Sequence, residues 1–315
     1  MPVSAQTDPS FAYKPVENPV AEPDGLGPLA QLVGGGDKGE WQGKGFNTIW
    51  RPHPLAEGGQ DRFLELNLTS EKLVFERIKG KIPNRGLLMP DINMFGLTYQ
   101  QQIEGTDPQE GLHIEPGIWV NVPPTTNPAE ATTVVRMASI PHGTAMLAQG
   151  SFLTVDGGPH IEENNIIPFQ IGTPPPPNAD FAAAEATFTE LNLAIDTPFR
   201  QKSAAVTQAM VENPNSVLLA DIAGENITST TVLDVSTAHE PVAGGGTANT
   251  AFLEAATAPG GNAKAVEVRA IFWIETIAGA PGEPPTLQLQ YTQLVQLDFN
   301  GLRWPHVTVA TLRKV

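Results

Sequence analysis

The stretch TLQLQYTQLVQLDFNGLRWPHVTVATLR, residues 286–313, decides the fold. Up to the turn its odd positions are Leu287, Leu289, Tyr291, Gln293, Val295, Leu297 and Phe299, while the even ones include Gln288, Gln290, Thr292, Gln296 and Asp298. A period of two marks a strand with one buried face. Asn300-Gly301 comes next, the strongest short-range hairpin signal, because a type I′ turn needs φ > 0 at both central residues. A two-residue turn sets the register, so Phe299 should oppose Leu302, Leu297 oppose Trp304 and Val295 oppose His306, each pair sharing a face. On the other face Asp298 meets Arg303 and Gln288 meets Arg313, where solvent is expected. His306 thereby joins the apolar face of Tyr291, Val295, Leu297, Phe299 and Trp304. Pro305 cannot donate to the ladder and marks the place where a bulge would shift the register of the residues after it.

Outward from this hairpin, further strand-like runs are Trp41 to Arg51, Leu64 to Thr69 with Lys72 to Ile78 as its hairpin partner, Leu97 to Ile103, Gly111 to Val122, Thr132 to Ser139, Thr144 to Val155 and Ala265 to Ile277. Many strands on short connections predict a mainly β fold, a sandwich or a barrel. Residues 1–22 read as a flexible tail. Pro28-Leu29-Ala30-Gln31-Leu32 predicts a short helical turn ahead of Gly34-Gly35-Gly36. From about 168 to 262 the pattern breaks into a proline run at Pro174 to Pro177, a helix over Ser203 to Val211 and a glycine cluster at Gly244 to Gly246. That segment reads as a long insertion between barrel strands, lid-like or a small subdomain, within a domain spanning 23–315.

The composition agrees. The 30 glycines and 30 prolines among 315 residues make up nearly a fifth of the chain, against an ordinary share of roughly an eighth. The net charge of −16 repels phosphate backbones and anionic headgroups, so nucleic acid and membrane are poor partners. The start of the chain lacks a charged region followed by an apolar one, which makes the cytoplasm the expected location. With no cysteine there is no disulfide, thiol nucleophile or thiolate metal site.

Few residues carry chemistry. His306 in a dry interior would be neutral, the form that binds metal, but a lone histidine on an apolar face is more often a satisfied core residue. His113 and Glu115 lie two apart on a strand and share a face, as an acid and a base would, or as a simple strand-end pair. His142 falls on a turn at the barrel rim, where it could lie over a ligand. Trp41 among Gly39, Gly43 and Gly45 reads as a plug at one barrel end, the glycines allowing a close strand crossing. His53, His160 and His239 sit in Pro- or Gly-containing loops. No H-E-x-x-H spacing, phosphate loop or G-x-S-x-G elbow occurs. These residues leave open a cofactor-free carrier of an apolar lipid-like or aromatic ligand, and an isomerase or cyclase using His113 and Glu115.

As a set, the motifs resemble the nitrobindin family of calycin, lipocalin-like β-barrels. Pro28-Leu29-Ala30 with Gly39-x-Trp41-x-Gly43-x-Gly45 is similar to that family's opening. Leu112-His113-Ile114-Glu115-Pro116-Gly117 is similar to its central strand, and residues 289–313 to its closing hairpin. The resemblance implies bound haem b with His306 as the proximal iron ligand, walls from Trp304, Tyr291, Val295 and Leu297, and His142 on the distal side. It further implies action on nitric oxide, peroxynitrite or peroxide at an open iron face, as a haem-dependent isomerase or a peroxidase-like enzyme. The chain departs from the family in its length, its insertion, and Pro305 immediately before the histidine.

Overall fold

In the computed structural model of the chain, which describes residues 25–54, 57–239, 242–254 and 262–315, the closing turn is as its sequence requires. Asn300 and Gly301 have φ of 48° and 79°, and the flanking strands pair Phe299 with Leu302, Leu297 with Trp304, Val295 with His306 and Gln288 with Arg313. Arg303 donates to Asp298 across the ladder at 2.8 Å. The register runs unbroken through Pro305.

Ten antiparallel strands form one closed barrel. They are β1 (Lys38–Pro52), β2 (Arg62–Arg77), β3 (Ile92–Thr106), β4 (Gln109–Val122), β5 (Thr133–Ile140), β6 (Thr144–Asp156), β7 (Ile227–Ser236), β8 (Lys264–Ile277), β9 (Thr286–Phe299) and β10 (Leu302–Lys314). Each pairs with the next in sequence, and β10 returns to β1. Closure leaves no free sheet edge along the ring. The β10–β1 crossing needs glycine, since a Cβ on Gly43 would lie 2.0 Å from the Thr311 carbonyl oxygen.

Three expectations about elements change. Leu64 to Thr69 and Lys72 to Ile78 are one strand, β2, with no turn between them, because Ser70 and Glu71 pair on both sides with β1 and β3. Ile227–Ser236, inside the segment read as an insertion, is barrel strand β7, paired to β6 and β8. The helix expected over Ser203 to Val211 runs only over Gln208–Glu212. The tail over residues 1–22 lies outside the described residues. No helix among the described residues is long and apolar enough to cross a membrane.

The barrel has two cores, one inside and one outside. Alternation places Trp41, Leu73, Phe75, Tyr99, Trp119, Phe272 and Tyr291 in the lumen. Leu26, Leu29, Leu32 and Val33, carried by a 3₁₀ turn (Gly27–Leu29) and a helix (Ala30–Val33), close one end. Trp41 is fully buried there and donates from its indole nitrogen to the Leu32 carbonyl at 2.9 Å, as the plug reading predicts.

In the first half of β2 the leucines face outward. Leu64 and Leu66 join Phe46, Trp50, Val307 and Val309 in a second core covered by Ile161, Ile166, Phe181, Phe188, Leu191, Val211 and Leu218 of the β6–β7 connection. The outer face of β9, expected in solvent, is buried by the same cover. Gln290 donates to the Leu218 carbonyl at 3.0 Å and Thr292 to Asn215 at 2.7 Å.

Candidate functional site

Above the plug, the lumen holds a layer of buried polar side chains. Arg136, on β5, donates to Glu115 at 2.5 Å, to the Tyr99 hydroxyl at 2.8 Å and to Gln293 at 2.6 Å. Tyr99 also donates to Glu115. Burial alone would raise the Glu115 carboxyl, but the Arg136 guanidinium and the donors around it hold it down, to about 2. Beside this ion pair, Glu71 accepts from Tyr291 at 2.5 Å and from Thr69 at 2.9 Å, and Gln101 donates to the Tyr291 hydroxyl at 2.7 Å. No cation pairs with Glu71 among the described residues, so burial pushes its carboxyl up to about 7. Two carboxyls in one lumen are therefore driven in opposite directions by the presence or absence of a counterion.

Beyond this layer, at the end opposite Trp41, lies a cavity of about 240 Å³. Its walls are mostly apolar: Ile49, Ile103, Leu112, Ile140, Val295 and Leu297, with Leu253 and Ala263 from the β7–β8 connection. No described residue of 157–226 lines it, so the insertion's first part braces the barrel wall rather than covering the mouth.

Three histidines reach this cavity from separate elements: His306 of β10, His113 of β4 and His142 of the β5–β6 turn. Burial, with the neighbouring His113 and His142, lowers the His306 pKa to about 3, which keeps the imidazole neutral. Asn47 Nδ2 lies 2.9 Å from His306 Nε2 and 2.7 Å from Thr308 Oγ1, while Asn47 Oδ1 is buried without a partner. His306 Nδ1 has no hydrogen-bond partner among the described residues. His113 Nε2 is 3.2 Å from Glu115 Oε2, so the Arg136–Glu115 pair orients its ring. The rings of His113 and His142 are 5.7 Å apart, and burial followed by the charge of His113 lowers the His142 pKa.

Of the residues singled out in the sequence, His113, His142, His306, Val295 and Leu297 line the cavity together. Glu115 sits behind His113, fully engaged with its donors. Tyr291 lies deeper, bound to Glu71, and Trp304 lies in the outer core, stacked on Phe299 at 4.6 Å and 5.3 Å from Trp50. His160 and His239 are exposed, whereas His53 packs edge-on against Phe199.

Sequence reasoning missed Asn47, Ile49 and Arg51, which counting in twos from Trp41 would have reached. It also missed Arg136 and Glu71, for which an isolated charge in a strand gives no signal. Among the described residues no group of three or more His, Asp or Glu side chains is placed to hold a metal ion by itself.

No protein-family profile matches the chain, and no curated protein matches it. Among solved structures it is similar to the crystal structure of Rv2717c from M. tuberculosis, at 16% identity and a TM-score of 0.40, over 93% of this chain and 98% of that one.

Proposed function

We propose that this barrel binds haem b in the cavity at its open end, where His306 would hold the iron. The observation that carries the reading is a neutral imidazole, anchored at one nitrogen and free of protein partners at the other, on the wall of an apolar cavity. Metal-ligating histidines are commonly anchored in this way. The resemblance of the closing hairpin to that of the nitrobindins supports it.

The donor set fits the group on chemical grounds. Aliphatic side chains suit the porphyrin faces, and neutral His306 supplies a lone pair if the Asn47 amide presents its oxygen to Nε2–H. Asn47 Oδ1 would then gain the partners it lacks, at the cost of leaving its nitrogen unpaired. Bound haem would supply an iron whose other face takes a small ligand such as nitric oxide, peroxynitrite or peroxide. His113, held by Glu115, and His142 would be the side chains of the cavity able to hold or move a proton.

With the Asn47 nitrogen turned toward Nε2 instead, His306 carries its proton on Nδ1 and becomes a donor. That tautomer suits a cofactor-free carrier whose apolar ligand ends in an acceptor. An absorption titration separates the two. Haem added to the purified protein should give a Soret band that His306→Ala removes, and no uptake by the wild type would sink the haem reading.

A further inference from the structure

Although the protein carries a net charge of −16, among the described residues no Asp or Glu lines the cavity, and the one permanently charged side chain on its lining is a cation, Arg51. Arg51 stands near the end of β1 at the open end, its side chain 42% exposed. Two neighbours set its plane. Nε is bound by Glu65, and the guanidinium carbon lies 4.2 Å from the centre of the Phe63 ring. Nη1 and Nη2 are left without a hydrogen-bond partner among the described residues.

We propose that the cavity selects an amphipathic ligand, an apolar body ending in a carboxylate, and that Arg51 receives the carboxylate at the mouth. The inference rests on the cavity being a ligand site, and it deepens that reading by naming the ligand's chemistry. A guanidinium held by its Nε and by an aromatic face is a prealigned two-donor fork, the geometry that matches a carboxylate. Glu65 fixes the fork but also competes for its charge. Arg51 and Glu65 should therefore act with opposite signs on an anionic ligand. The carboxylates of a porphyrin and of a fatty acid share this chemistry, and the probes distinguish the two sources.

The test compares hemin with its dimethyl ester and palmitate with hexadecanol, each titrated against the wild type, Arg51→Gln, Arg51→Lys and Glu65→Gln. Arg51→Gln should weaken the bound acid by roughly tenfold or more and leave its uncharged analogue unchanged, the scale of a charge-assisted hydrogen bond. Arg51→Lys should recover part of the loss, and Glu65→Gln should tighten acid binding. A purely structural Arg51–Glu65 pair would instead make both substitutions move affinity for acid and analogue alike, which overturns the proposal. Palmitate binding with this Arg51 dependence, and no hemin uptake, sinks the haem reading and leaves the inference standing. Hemin binding that is blind to Arg51 does the reverse. Binding of neither acid overturns both.

Discussion

Val295 and His306 stand directly opposite one another on β9 and β10, in a register set by a turn whose two residues both have positive φ. Everything at the open end of the barrel depends on that pairing, because a slip of one residue would turn His306 out of the lumen. Gly301, at φ 79°, is in the region that side chains with a Cβ adopt only under strain. Gly301→Val should lower stability by about 1–2 kcal/mol, read as a shift in the urea midpoint at unchanged slope.

Arg136 neutralises a carboxylate that has no access to water. Arg136→Met leaves Glu115 buried without its counterion and should cost about 3–5 kcal/mol. Pairing it with Glu115→Leu should recover much of that loss, since the charge needing compensation is gone. A double-mutant cycle in denaturant gives the coupling directly, and additive single effects would contradict the pairing.

Glu71 makes stability fall as pH rises. Its carboxyl has a pKa near 7 in the folded protein against an ordinary value of 4.5, so between these limits the folded state holds a proton that the unfolded state has lost. Stability from this group is full below pH 4.5 and is lost as pH rises to about 7. Glu71→Gln should remove that slope, leaving the variant on the order of 1–3 kcal/mol better off relative to wild type at neutral pH than at acid pH. Urea unfolding at a series of pH values checks it, and parallel curves would contradict it.

His306 acts with the opposite sign. Its folded pKa near 3, against an ordinary 6.5, means that the unfolded state binds the proton first. The contribution is full above pH 6.5 and is lost as pH falls toward 3. Ring-carbon chemical shifts followed by NMR should show His306 neutral throughout the range in which a free imidazole titrates. A His306 midpoint near that of an exposed imidazole would contradict its burial.

Leu66 faces outward yet is fully buried beneath the β6–β7 connection. Leu66→Ala should cost about 2–5 kcal/mol, as in any close-packed core. Its first sign in limited proteolysis should be cleavage within 157–226, ahead of the barrel strands.

The sequence by itself determined what depends on local chemistry: the Asn300-Gly301 turn, the alternation of β9 and β10, the Trp41 plug with its glycine crossing, and hence the sharing of one face by His306, Val295 and Leu297. These are properties of turn geometry and a period of two, which neighbours in the chain settle between themselves. The tertiary structure alone decided which face of each strand is inside. Leu64 and Leu66 are core residues, but of an outer core, because a sheet covered on both sides offers two apolar environments and alternation does not say which is the lumen. Trp304 shares a face with His306 by the register yet packs at the barrel rim on Phe299, Trp50 and Phe188 of the outer core, and Ile227–Ser236 passed for insertion because its partners β6 and β8 are supplied by the fold.

The pairing of Glu115 with Arg136, the isolation of Glu71 and the placing of Arg51 at the mouth came from strands brought together around the ring. Charge compensation in a buried space depends on distance through that space, which spacing along the chain does not encode.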